Sequence, residues 1–371
     1  MRWQRVIRRH VIRGLAGIVG VVIVVGGSVV SGGTASSIAR AAPATQAVAS
    51  VAAYGVPREA SKVALRETSA DGPALWTQRG PSAPIGPGAV LAWTGTDSRL
   101  NFEFTNDGIN FFGKKTLSET SFVRPAVVRG KGEGGFDAPV ALAWTGVDTG
   151  HRLNVLYNVP GATPMKLTLS HDTSFTAPAL EWLNEDTLLL AWAGTDAGHS
   201  LNTLPVRVTS QGLVAGTKTT LSAFHSLGQP VIIHELPVPL GDTRLFLGWS
   251  DLTSRHIAWA TSSNGTTWTQ QPSFAESSGA APSMMGLTEE LTHVPPYWLG
   301  WTGTDAAHHV NVLYALTFSQ WTTNYVKATL PETAVGGTVV GFVLSPPDQQ
   351  ILVAWTGTDA AHHLNVARVG V

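Results

Sequence analysis

The chain contains no cysteine, so disulfides and thiolate metal centres are excluded and no redox compartment is legible from it. Charge is scarce as well. Asp, Glu, Lys and Arg make up 13% of the 371 residues, and the formal net charge is −1. That balance provides no basic surface for nucleic acid. Beyond the first 41 residues no apolar run is long enough to cross a bilayer as a helix. What the chain has in quantity is Gly (39), Pro (22) and Trp (13), a composition suited to many short strands joined by turns.

The N-terminus has its own character. "MRWQRVIRRHVIRG" carries Arg2, Arg5, Arg8, Arg9 and Arg13 without an acid, "LAGIVGVVIVVGGSVV" is apolar, and "ARA" at 39–41 offers small residues before a cut at Ala42. This is the layout of a secretory signal. The run Arg8-Arg9-His10-Val11-Ile12-Arg13 also resembles a twin-arginine export signal, and an uncleaved membrane anchor is the alternative. Loss of residues 1–41 removes six of the 24 bases and no acid, leaving 18 bases against 25 acids, a net charge of −7. The expected location is secreted or extracytoplasmic, with membrane contact only through this segment. Residues 42–61 are Ala-rich and aperiodic and read as a linker, and 62–371 read as the folded domain.

That domain repeats itself. "AWTGTDSRLNF" (92–102), "AWTGVDTGHRLNV" (143–155), "AWAGTDAGHSLNT" (191–203), "GWTGTDAAHHVNV" (300–312) and "AWTGTDAAHHLNV" (354–366) are one phrase, and "GWSDLTSRHIAWATS" (248–262) is a damaged sixth copy. The aligned tryptophans Trp93, Trp144, Trp192, Trp249, Trp301 and Trp355 are 51, 48, 57, 52 and 54 residues apart. A second phrase alternates with the first, as in "KKTLSETSFVRPAVV" from 114 and "KLTLSHDTSFTAPAL" from 166. Each unit reads as four short strands, and repeats of this length built from four strands are the signature of β-propeller blades. The expectation is an all-β, six-bladed propeller. The chain starts in a fourth-strand segment and ends after a third-strand segment, so the N-terminal strand is expected to pair into the last blade and close the ring, leaving no open edge.

Within the phrase, the tryptophans are expected to wedge between neighbouring blades, while Gly and Asp build the turn. Parity of an up-and-down blade puts the "TDxxH" tips and the crossovers on one rim. Candidate ligand-binding residues there are Asp97, Asp148, His151, Asp196, His199, Asp305, His308, Asp359 and His362, with crossover acids Glu67, Glu119, Asp172, Glu276 and Glu332 beside them. The repeat breaks in the fourth unit, where His225, Asp251, Arg255 and His256 form a second candidate cluster. Asp-x-x-His offers two ligands per hairpin, too few for a transition-metal site, so no metal or cofactor is expected, and calcium is left open.

The chain resembles bacterial sialidase-like six-bladed propeller repeat proteins that carry an Asp-box. "TNDGINF" at 105–111 and "SSNGTTW" at 262–268 look like shortened Asp-boxes, and "FVRP" at 122–125 is a distorted echo of the sialidase Phe/Tyr-Arg-Ile-Pro motif, with Arg124 in a slot read as solvated. The resemblance implies carbohydrate chemistry. No catalytic set of arginine clamp, Tyr nucleophile and acid/base assembles, so binding of carbohydrate or another extracellular ligand by a monomer is the expected function. An exo-acting sialidase-type hydrolase and a protein-binding scaffold are the alternatives.

Overall fold

A computed structural model describes residues 54–77, 88–130, 138–235, 244–287, 294–317, 320–345 and 348–371. The expected signal at 1–41 lies outside the described residues. β1 (Arg58–Thr68) begins inside the stretch expected as linker, because the strand's outward and inward positions alternate from Arg58 onward.

The chain then lays down antiparallel sheets in sequence order. The first unit is β2 (Ala74–Thr77), β3 (Ala89–Thr94), β4 (Arg99–Thr105) and β5 (Phe111–Thr120). The second is β6 (Ala126–Arg129), β7 (Val140–Thr145), β8 (Arg152–Asn158) and β9 (Met165–Thr173). In the third, β10 (Ala179–Trp182), β11 (Thr187–Ala193) and β12 (Ser200–Thr209) are followed by a fourth strand split into β13 (Gly212–Ala215) and β14 (Thr219–His225), both paired with β12. The fourth comprises β15 (Val231–Glu235), β16 (Arg244–Ser250), β17 (Ile257–Ser262) and a two-residue β18 (Thr269–Gln270), where the second phrase is degraded.

The fifth unit contains β19 (Ser283–Gly286), β20 (Tyr297–Thr302), β21 (His309–Ala315) and the start of β22 (Val326–Ser345). β22 pairs with β21 up to Thr333 and with β23 (Asp348–Gly357) from Ala334 onward, breaking register between Val335 and Val339. Its crossover stays extended, so a seven-stranded sheet joins the fifth unit to a sixth made of late β22, β23 and β24 (His363–Gly370). β1 pairs antiparallel with β24 from Arg58↔Gly370 to Thr68↔His363.

Burial follows position in the sheet. The Trp-bearing strands β3, β7 and β20 are buried along their whole length, as expected of strands covered on both faces. All six phrase tryptophans are about 1% exposed. Each packs against the sheet of the preceding unit: Trp144 with Val90 and Phe102, Trp192 with Val128 and Leu153, Trp249 with Leu189 and Ala191, Trp301 with Phe246 and Trp259, Trp355 with Trp298 and Val312, and Trp93 with Ala354 and Leu364 of the last sheet.

A polar girdle accompanies this wedge. Lys114, Lys166, Lys218 and Lys327 lie 5.2–6.0 Å over the rings of Trp93, Trp144, Trp192 and Trp301 and pair with Glu67, Glu119, Asp172 and Glu276. Lys62 pairs with Glu332 at 2.6 Å. The crossover acids expected to face a ligand are thus engaged by lysines of the neighbouring unit.

Candidate functional site

The site begins with the turn after the Trp strand. In every copy the Asp side chain accepts the amide two residues on: Arg99 to Asp97 (3.0 Å), Gly150 to Asp148 (3.0 Å), Gly198 to Asp196 (3.0 Å), Thr253 to Asp251 (3.1 Å), Ala307 to Asp305 (3.1 Å) and Ala361 to Asp359 (3.1 Å). The phrase glycine is required sterically. A Cβ on Gly357 would stand 2.7 Å from the Asp359 carboxylate and 2.8 Å from the Asn365 amide. The phrase asparagine closes the hairpin, with Asn365 donating to His363 O at 2.9 Å. For Asp196 and Asp359, burial alone would raise the carboxyl pKa. Hydrogen bonds from Ser200 and Gly198, and from His363 and Ala361, outweigh it and hold both below the ordinary value.

The turn forces its fourth residue into the left-handed region. His151, His199, His308 and His362 have φ of 49°, 47°, 56° and 57°, with Arg255 (60°) and Ser98 (66°) in the two variant loops. Their carbonyls accept the crossover amides: Ser121 to Ser98 O, Ser174 to His151 O, Ser226 to His199 O, Ser278 to Arg255 O, Ala334 to His308 O and Ser69 to His362 O, all at 2.9–3.1 Å. The tips and crossovers therefore share one edge, as parity predicts. Hydroxyls tie that edge to the following crossover, with Thr94 donating to Val123 O, Thr145 to Thr176 O, Thr302 to Gly336 O and Thr356 to Asp71 O.

The fourth-unit cluster is gathered only in part. His225 Nδ1 lies 2.8 Å from Gly198 O, and its imidazole helps to lower the pKa of Asp251, after burial opposes and the Ser254 and Thr253 contacts favour the charged form. His256 Nδ1 instead meets Phe274 O at 3.0 Å. Among the described residues no group of three His, Cys, Asp or Glu is placed to hold a metal ion.

Arg124 corrects an expectation. It is 3% exposed, not solvated, because the crossover turns its side chain inward against the first strands, where it donates to Gln229 and to Pro73 O (3.1 Å). Burial pushes its pKa down while Asp71 pulls it back. It ties three units together and is committed to protein partners. The turns at 105–110 and 262–267 are built alike. Asp107 and Asn264 accept the amides of Ile109 and Asn110, and of Thr266 and Thr267, respectively.

Three residues escaped the sequence reading. Phe122 and Phe175 follow the crossover serine and contact His151 and His199, and their signal was the shared "TSF" in two copies of the second phrase. Glu103, on β4 opposite Leu91, is 6% exposed with a buried Oε1 that has no hydrogen-bond partner. It occupies a slot that holds Leu156, Leu204 and Leu313 in other units. Burial, then Glu67, raise its pKa to about 7 against the opposing charge of Lys114.

No protein-family model and no curated protein sequence matches the chain. Solved structures do. A protein of unknown function from Dyadobacter fermentans shares 12% identity at a TM-score of 0.59, covering 85% of this chain and 99% of that one. The fucose-specific lectin of Aleuria aurantia, described as a six-bladed β-propeller with a novel fucose recognition mode, shares 12% at 0.51, covering 83% and 96%. A Hadza microbial sialidase shares 12% at 0.51, covering 79% and 65%. At these identities the likeness is one of fold: an all-β chain of four-stranded antiparallel sheets, similar to propeller proteins.

Proposed function

We propose that this is an exported, monomeric, sialidase-like β-propeller whose six four-stranded blades close through β1 on β24, and that it binds carbohydrate through the Asp/His loops of one edge. The closure is supported by the β1–β24 ladder, the Lys62–Glu332 pair and the packing of Trp93 against Leu364. Export is supported by the arginine-rich start and the apolar run behind it.

The observation that carries the binding reading is the placement of four histidines at left-handed backbone positions. A non-glycine residue there costs roughly 1–2 kcal/mol, and glycine is the unstrained choice. A side chain retained under strain at a repeated loop position, exposed at His151 and His308 and half-buried at His199 and His362, points to a role for that side chain. Carboxylate, imidazole and hydroxyl groups on this edge suit sugar hydroxyls, and the lectin folds above support the assignment. Arg124, tied to Gln229 and Pro73, is unfit to clamp a substrate carboxylate.

A glycan array probed with the full chain, with and without calcium and scored for both retention and loss of terminal sialic acid, tests the reading. Retention without cleavage is expected, weakened by Asp148→Ala, which unfastens the loop that carries His151. Loss of sialic acid refutes the non-catalytic reading, and silence on every glycan favours a protein-binding scaffold.

A further inference from the structure

Two of the six loops differ in what stands beside the histidine. Phe122, in the crossover into the second unit, meets His151 edge-on with ring centroids 4.8 Å apart at 62°. Phe175, at the same place in the crossover into the third, lies 3.9 Å from His199 at 41°. The corresponding residues elsewhere are Ala70, Leu227, Gly279 and Val335, so this ring pair belongs to two neighbouring units.

The second-unit pair is open to solvent. Phe122 is 38% exposed, and Val147 in the adjoining loop is 52% exposed. These are two of the four exposed large hydrophobic side chains among the described residues. The Ser121–Gly146 bridge holds their two segments together. An aromatic kept at the surface beside hydrogen-bonding groups is the arrangement that receives a ring with one apolar face and polar edges.

The charge around each pair narrows the ligand. Arg152 lies 3.4 Å from Asp148, so the second-unit loop balances its own charge. One guanidinium N–H is used there, leaving the others free for hydroxyl oxygens. In the third unit Asp196 is met by Gly198 and Ser200, with no cation. Neither loop offers an uncompensated positive charge to a carboxylate ligand.

We propose that the Phe122–His151 and Phe175–His199 ring pairs are stacking platforms for neutral sugar rings, so that carbohydrate binding is concentrated on the second and third units and discriminates against acidic sugars. This deepens the carbohydrate-binding reading and rests on it. Two platforms on adjoining sheets serve a branched or clustered glycan by avidity, each contributing a weak contact.

The test uses the full chain on an array printed with fucosylated, galactosylated and mannosylated glycans beside sialylated counterparts. Phe122→Ala and Phe175→Ala are each expected to reduce retention roughly two- to tenfold, the range of one aromatic contact, and the double variant to abolish it. Phe175→Leu keeps the aliphatic bulk of the half-buried site while removing the aromatic face, and is expected to weaken binding without unfolding. Leu227→Ala and Val335→Ala, at the equivalent crossover positions, are expected to retain wild-type binding. Undiminished binding by the double variant, or preference for the sialylated glycans, overturns the platform assignment while leaving carbohydrate binding intact. A wild-type chain that binds no glycan overturns both.

Discussion

Glu103 offers the sharpest quantitative test of the fold's energetics. Its carboxyl sits on β4 opposite Leu91, 6% exposed, with one oxygen buried and unpartnered, and the charges acting on it are Glu67 and Lys114. An acid whose folded pKa is about 7 against an ordinary 4.5 binds more protons folded than unfolded between those values. Stability therefore falls as pH rises from 4.5 to 7 and levels off above. At 1.36 kcal/mol per pH unit the gap corresponds to about 3 kcal/mol, and solvent screening near the paired Lys114 reduces the expected effect to about 2 kcal/mol. Glu103→Gln removes the ionisation and keeps the shape. Urea unfolding followed by tryptophan fluorescence should show variant and wild type nearly equal at pH 4.5, with the variant more stable by about 2 kcal/mol at pH 8. Parallel stability curves across that range would falsify the account of a carboxyl buried at a sheet interface.

Other expectations follow from the repeat. Trp355→Ala should cost about 3–5 kcal/mol, as for other large buried aromatics, read by thermal or urea denaturation. Trp249→Phe should be milder than Trp301→Phe, because the buried Trp249 indole N–H has no partner and stacks on Phe224 where Trp301 holds Lys327. Glu332→Gln should lower stability by about 0.5 kcal/mol at low salt and by nothing measurable in 1 M NaCl, since the Lys62–Glu332 pair is partly exposed. Asp359 titrates below its ordinary value, so its contribution is complete above the unfolded pKa and is lost as pH falls through the lowered one. Asp359→Asn should flatten that acid limb in a stability profile from pH 6 to 2, and an unchanged limb would count against the turn's role.

The edge on which binding is proposed owes its form to an economy of turn chemistry. One carboxylate, one glycine and one asparagine fix the hairpin in five of the six units, and in the four histidine-bearing loops that geometry throws the fourth residue into a left-handed conformation. The aspartates singled out as ligand candidates are thus largely occupied in holding their own loops, while the histidines and the crossover phenylalanines carry the chemistry left over for a ligand.

The amino-acid sequence alone was enough to determine the four-stranded repeat, the wedge tryptophans and the shared edge of tips and crossovers. Periodicity is local, and each copy of a phrase reports on all the others. Even the weakness of the fourth unit was written in its letters, and it emerges as a two-residue β18. Only the tertiary structure decided what the repeat's exceptions mean. Arg124 looked like a solvated arginine beside a proline, and three partners distant in sequence bury it. Glu67, Glu119, Asp172, Glu276 and Glu332 looked free until lysines 46 to 270 residues away neutralised them. Phe122 and His151, 29 positions apart in the chain, became a pair only once a crossover was laid across the next unit's loop. Backbone repeats are encoded by neighbours in sequence. Burial and charge compensation depend on which strangers the fold brings within a few ångströms.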